Sequence, residues 1–273
     1  MIRLLAPAKV NLVLRIGQMQ SNGLHAVASL FASLELADEV EVEPAADDSV
    51  ECEGVEGPNL AERAVRLIRG YAPWIPPLRV RITKRIPVAA GLAGGSADAA
   101  AVLRAANSFQ EIPFDDDHLR AIAAPLGSDV PSQVAPAHAV VTGTGERVER
   151  VQLPAMALVL VPATTGLSTG DVFKKALHMN LPRLQLEAGD LRALAAQPLD
   201  VIAARLENDL QAATVKLRPE LEVILDQLRN AGALGAQVSG SGPTVFGVFS
   251  DRAAADAAAA EIPDALVTMV ATR

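Results

Sequence analysis

The sequence is poor in the residues that most often announce a function. One cysteine, Cys52, among 273 residues leaves nothing for an internal disulfide and too little for a thiolate zinc site. It is expected to pack as a small apolar group in a reducing compartment. The four histidines, His25, His118, His138 and His178, lack metal-ligand spacing. Aromatics make up only 3% of the chain, so Ala, Leu and Val must fill the core. No apolar run approaches the ~20 residues that cross a bilayer. Ala6-Pro7-Ala8 faintly resembles a cleavage site, but the apolar run before it is only Leu4-Leu5, too short for a secretion signal. A net charge of −8 argues against general binding to nucleic acid or a membrane surface, and any anionic ligand needs a local cluster of donors. The expectation is a soluble, cytoplasmic protein with one large core or two smaller ones.

Two familiar phosphate loops are missing too. No Lys-Ser or Lys-Thr pair follows the glycines, and there is no G-x-G-x-x-G fingerprint. What stands in their place is Pro87-Val88-Ala89-Ala90-Gly91-Leu92-Ala93-Gly94-Gly95-Ser96-Ala97. It lies between an alternating segment, Leu78 to Thr83, and an Ala-rich run without Gly or Pro to Asn107. That order predicts strand, loop, and a helix starting at Ser96 or Asp98, either of which can cap it. First-turn amides have no helical acceptor, and glycines let an anion come close, so the loop suits phosphate. A ligand-free turn of the same spelling is the alternative.

Upstream, Leu4 to Ile16 predicts a strand interrupted by Pro7 and carrying Lys9 and Asn11; a solvated strand lysine is the simpler reading of Lys9. Asn22-Gly23 predicts a hairpin turn, Ala26 to Leu36 a second strand, and Val40 with Val42 a third. Asn59 opens a helix through Arg69, with Glu62 completing a capping box. Pro113 and the acids Asp115 to Asp117 begin another helix, and Gly127-Ser128-Asp129-Val130-Pro131 follows, where Asp129 reads equally as a turn or cap residue. Val140 to Gly143 and Val148 to Leu153 predict a hairpin, and Leu153-Pro154 a boundary between lobes 1–153 and 154–273. In the second lobe strand, helices, strand, strand, helix and strand succeed one another, a ferredoxin-like order.

Pro7-Ala8-Lys9-Val10-Asn11, the central glycine loop and Gly240-Ser241-Gly242-Pro243-Thr244 occur in the order of the motifs of the GHMP small-molecule kinases, which the chain resembles over nearly its whole length. The resemblance implies an α+β fold of two lobes, the first like the second domain of ribosomal protein S5 and the second ferredoxin-like. It implies ATP with Mg²⁺, with Pro87 to Ala97 on the phosphates and Asn59 and Lys84 near the nucleotide; no protein ligand for the metal is assigned. Lys9 and Asp129 match the catalytic pair, with Asn11 nearby. Gly23-Leu24-His25, Asn208-Asp209 and the spelling around Asp129 point to the branch whose acceptor is a cytidine diphosphate-linked methylerythritol. There His25 would read the cytosine, Phe173 lie against it, Thr169 sit beside the acceptor, and Gly240, Ser241 and Gly242 close the substrate side. Homoserine- or mevalonate-type kinases and a non-catalytic nucleotide-binding relative are the other readings. Leu24 stands where the branch usually has Tyr. Ala89, Ala93 and Ala97 replace residues that are commonly Gly, Gly and Ser, and Ala93 is expected at negative φ. Oligomeric state is open.

Overall fold

The computed structural model describes residues 1–55, 59–163 and 165–271. Its spine is a long antiparallel ribbon, β1 (Ile2–Met19) and β2 (His25–Pro44), turned at Asn22 and Gly23, where Gly23 takes φ +78° and the Asn22 side chain accepts from the Leu24 amide. The two strands expected between Ala26 and Val42 are one. The acid in their middle, Asp38, is fully buried, and its carboxylate accepts the amides of Arg85 and Ile86, so the strand need not break to solvate it.

β3 (Ser49–Cys52) precedes α1 (Leu60–Tyr71), which Asn59 caps by accepting from Ala61; Glu62 pairs instead with Arg66. β4 (Leu78–Thr83) leads through the glycine loop to α2 (Gly94–Asn107). Then come α3 (Asp116–Ala123), a single turn at Ala124–Leu126, the short α4 (Val130–Gln133), and the hairpin β5 (Ala139–Gly143) and β6 (Arg147–Arg150). The expected lobe boundary falls in the connection to β7 (Ala157–Val161). After it lie α5 (Thr169–His178), α6 (Gly189–Ala195), α7 (Leu199–Ala204), β8 (Glu207–Asn208), α8 (Gln211–Leu217), α9 (Glu220–Asn230), β9 (Gly235–Val238), β10 (Val245–Phe249), α10 (Arg252–Ala259) and β11 (Leu266–Met269).

The first sheet runs β3-β4-β2-β1-β8, with β5 on the other half of β2 and β6 outside it; the second runs β11-β7-β10-β9. The second sheet has the expected ferredoxin-like order. Helices α1, α2 and α3 cover one part of the first sheet with a core that includes Val40, Ile68, Val80 and Leu103. A second core crosses the lobe boundary, packing Val10, Leu12 and Leu30 with Leu158, Leu160 and Phe246. The β1–β2 ribbon is thus the floor shared by both lobes. No helix among the described residues is long and apolar enough to cross a membrane.

Candidate active site

Register shifts flank Lys9 on β1, between Pro7 and Lys9 and again between Asn11 and Val13. Pro7 cannot donate to the ladder, and the irregularity it brings re-aims the residues that follow. The Lys9 amide leaves the strand ladder and donates to the Leu92 carbonyl of the glycine loop at 3.1 Å. Its side chain is not solvated: Lys9 is 4% exposed, its ammonium donates to Asn11 Oδ1 at 2.7 Å, and it lies 4.8 Å from the centre of the Phe31 ring. Asn11 Nδ2 donates in turn to Ser29 Oγ at 2.8 Å, which fixes the amide orientation. Asp129 reaches the same point from the far end of the lobe, its Oδ2 3.5 Å from Lys9 Nζ. Its side chain caps no helix, so the turn-residue reading leaves the carboxylate unexplained, whereas the ion pair with a buried ammonium explains it. At the tip of the β5–β6 hairpin Gly145 lies so close under the Ser128 carbonyl that a side chain there would collide with it, which sets the height of the Asp129 turn.

The glycine loop passes over this pair and ends in α2. The helix begins at Gly94, earlier than Ser96 or Asp98, and its N-cap is Ala93, with no side-chain cap. Among the described residues the amides of Gly94, Gly95 and Ser96 meet no protein acceptor. Those three N–H groups and the positive end of a 14-residue helix face the cleft. Ala93 has φ +59° and Ala89 φ +54°, so the expected negative φ at Ala93 is corrected: the loop keeps a left-handed turn without the glycine that usually makes it. An L-residue there costs about 1–2 kcal/mol. Gly91, at φ +76°, could not be replaced so readily, because a Cβ would stand 2.6 Å from Gly242 O and 2.7 Å from Ser239 O.

Lys84 lines the cleft, but its charge is engaged. Its ammonium contacts Asp38 Oδ2 at 2.5 Å and Asp98 Oδ2 at 2.8 Å. Burial would lower the Lys84 ammonium, yet the two carboxylates outweigh that and hold it above its usual range. Burial pushes the Asp98 carboxyl up to about 7, with Lys84 pulling the other way. Lys84 therefore acts first as the counter-ion of two buried acids. Neither Asp38 nor Asp98 is legible as part of the site in the sequence, where one falls between two expected strands and the other reads as a cap. Cys52 is half-buried at the cleft edge; burial raises its thiol, as suits a packing residue.

On the opposite wall His25 Nδ1 lies 2.8 Å from the Gly17 carbonyl. A carbonyl only accepts, so Nδ1 carries the proton, and in the neutral ring Nε2, which has no partner among the described residues, is an acceptor. Phe173 stacks on His25 with centroids 5.2 Å apart and planes at 28°, leaving no gap for a base between the two rings. Leu24 is 46% exposed beside them. Thr169 Oγ1 and Ser241 Oγ are 3.0 Å apart and join α5 to the turn at Gly240 to Gly242. Gly240 lies against Lys9 and Asn11. One cleft of about 810 Å³ is lined by Lys9, Asn11, His25, Asn59, Lys84, Asp129, Thr169, Phe173, Gly240, Ser241 and the loop from Pro87 to Ser96; of the expected positions, Ala97 and Gly242 lie behind its surface.

Residues 59–138 match the family description "GHMP kinases N terminal domain" and residues 186–268 match "GHMP kinases C terminal". The chain belongs to the GHMP kinase family. Among its relatives, the 4-diphosphocytidyl-2-C-methyl-D-erythritol kinase of Pelotomaculum thermopropionicum is 40% identical over 266 residues, covering 95% of this chain and 93% of the relative. A crystal structure of a 4-(cytidine 5'-diphospho)-2C-methyl-D-erythritol kinase superposes with a TM-score of 0.80 at 32% identity, over 99% of this chain and 100% of that one. Homoserine kinase from Cytophaga hutchinsonii, with a TM-score of 0.72 at 18% identity over 99% of this chain and 94% of that one, shares the fold. The two-lobed GHMP architecture expected from the motifs is the one observed, and Lys9, Asp129 and the glycine loop meet in the cleft between its lobes.

Proposed function

We propose that this GHMP kinase transfers the γ-phosphoryl group of ATP to the 2-hydroxyl of 4-diphosphocytidyl-2-C-methyl-D-erythritol, a step of non-mevalonate isoprenoid precursor synthesis. The observation that carries the transfer is the convergence of a buried ammonium and a carboxylate, 3.5 Å apart, beside three unpartnered amides at a helix start. The names of the relatives favour this acceptor. His25 Nε2 is buried and without a partner among the described residues, an acceptor that suits the exocyclic amine of cytosine once the side chains covering it give way.

The amides of Gly94, Gly95 and Ser96 would hold the phosphate oxygens, and the exposed Gly95 leaves them room. Asp129 accepts the hydroxyl proton and orients the oxygen as its bond to phosphorus forms and the bond from phosphorus to the leaving oxygen of ADP breaks. Lys9, 3.5 Å from Asp129, stabilises charge on the equatorial oxygens in transit. Asn11 fixes the direction of the ammonium. Mg²⁺ supplies charge neutralisation on the phosphates when bound. Among the described residues no group of three or more His, Cys, Asp or Glu side chains stands together as a cation site; the metal is expected to come with the nucleotide.

Purified protein given ATP with the cytidylated acceptor, homoserine and mevalonate in parallel is expected to release ADP and phosphorylate only the first. Asp129→Ala is expected to lower kcat by roughly 10²–10⁴-fold. Near-normal turnover of that variant defeats the role of Asp129, and phosphorylation of homoserine or mevalonate instead defeats the acceptor.

A further inference from the structure

β8 is two residues long, yet it pairs in parallel with Val13 and Leu14 of β1, just beyond Lys9 and Asn11. Its flanks are tied down heavily. Glu207 pairs with Arg15 and Arg183, while Asp209 pairs with Arg183 and accepts from the Ile16 amide. Between them the Asn208 side chain uses every donor a carboxamide has. Nδ2 donates to Val238 O and to Gly240 O, both at 2.8 Å, and Oδ1 accepts from the Leu210 amide at 2.9 Å.

Those two carbonyls begin the turn that touches everything reactive. Gly240 stands where an added Cβ would be 3.3 Å from Asn11 Oδ1 and 3.7 Å from Lys9 Nζ. Ser239 Oγ donates to Gly91 O at 3.1 Å, Ser241 Oγ meets Thr169, and the Gly242 amide closes the turn on Ser239 O at 2.8 Å. Gly240 and Gly242 both have positive φ, so the turn has no side chains of its own to lock it at those points. Asn208 lies outside the cleft lining and reaches the site only through this turn.

We propose that Asn208 is a positioning residue for phosphoryl transfer: its carboxamide pins the turn from Ser239 to Gly242 to strand β1, and so holds Gly240 against Lys9 and Asn11. The inference rests on the kinase reading above and adds to it a residue with no contact to either substrate. Aspartate is nearly the same shape but, when ionised, turns acceptors toward two carbonyls. Alanine offers nothing.

The test uses the full chain with Asn208→Ala and Asn208→Asp. Two lost hydrogen bonds in the brace are expected to lower kcat about 10-fold in the alanine variant and raise the acceptor KM several-fold. The KM for ATP is expected to stay within about twofold, because the phosphate-facing amides lie on α2. Asn208→Asp is expected to gain a pH limb that neither the parent nor the alanine variant has, with activity falling as the new carboxyl ionises, since only its protonated form can donate. Hydrogen exchange at the Gly242 amide is expected to speed up in both variants. Unchanged kcat and acceptor KM in folded Asn208→Ala, a parental pH profile in Asn208→Asp, or unchanged exchange at Gly242 overturns the proposal. If the alanine variant does not fold, the aspartate variant below and above its limb carries the same test. The exchange measurement needs no acceptor, so a parent that fails to phosphorylate the cytidylated compound removes the function while exchange still decides the brace.

Discussion

Gly95→Ala separates a phosphate cradle from an ordinary helix start. Gly95 is the second residue of α2, has no positive φ, and faces the cleft; a Cβ there would meet only Leu60 Cδ1, at 3.8 Å. Structurally the change is favourable: alanine in place of a helical glycine is worth about 0.5–1 kcal/mol, or about 1–2 °C in melting temperature for a chain of this size. Functionally it places a methyl group where a phosphate oxygen must approach the amides of Gly95 and Ser96. Losing one charge-assisted hydrogen bond of about 1.5–3 kcal/mol raises the KM for ATP or lowers kcat/KM by roughly 10- to 150-fold. Differential scanning fluorimetry and a coupled ADP-release assay on the same preparation read the two effects. The comparison is Gly91→Ala, which meets two backbone oxygens at 2.6 and 2.7 Å from a positive φ. Strain of about 1–2 kcal/mol and overpacking of about 1–3 kcal/mol should lower its melting temperature by roughly 4–10 °C. A Gly95→Ala protein that is more stable and binds ATP as well as the parent refutes the assignment of phosphate to this helix start.

Asp98 supplies a pH test of the buried triad. Its carboxyl is pushed up to about 7 in the folded protein against an ordinary value near 3.9 in the unfolded chain. The folded state then holds the proton more tightly, so this contribution is complete below about pH 4 and is lost as pH rises through 7. Urea unfolding at pH 5 and pH 8 should show the parent losing stability relative to Asp98→Asn over that interval; a relative gain would contradict the burial argument. At the mouth of the cleft, Leu24→Tyr restores an aromatic surface beside His25 and Phe173. An aromatic contact of about 1 kcal/mol predicts an acceptor KM lowered roughly fivefold with the KM for ATP unchanged, and an unaltered acceptor KM would place the base elsewhere.

The parts of the site that the sequence makes legible are those whose chemistry is spelled locally. A glycine run feeding a helix start carries its physical reason within a few residues, whereas Lys9 and Asp129 read locally as a solvated strand residue and a turn or cap, and only the order of the motifs marks them as a pair. What stays hidden depends on distant partners. Asp38 falls in the expected break between two strands, where an acid would face water; its donors, Lys84, Arg85 and Ile86, come from just beyond β4. Lys9 reads as solvated because alternation along β1 says nothing about the register shifts on either side of it. β3 and α8 go unread: the first has only four residues, and the second follows directly on the Asn208–Asp209 anchor with no separate punctuation. The β8 pairing to β1 joins residues 192 or more positions apart and has no local signature.

The charge of the cleft follows from the same geometry. In a chain with a net charge of −8, lysines would be the obvious source of attraction for a triphosphate. Yet Lys84 is matched by Asp38 and Asp98, Lys9 faces Asp129, and the exposed Lys174 on the cleft lining contacts Asp171. Among the described residues the first turn of α2 adds positive potential that no acid matches, because Ala93 takes a left-handed conformation and brings no side-chain oxygen to cap it. A serine or aspartate at 93 in the extended conformation of an ordinary N-cap would fill the amides that a phosphate needs. The strain at Ala93 and the missing cap are therefore one feature: the helix is left open at its start, and a ligand is the group that completes it.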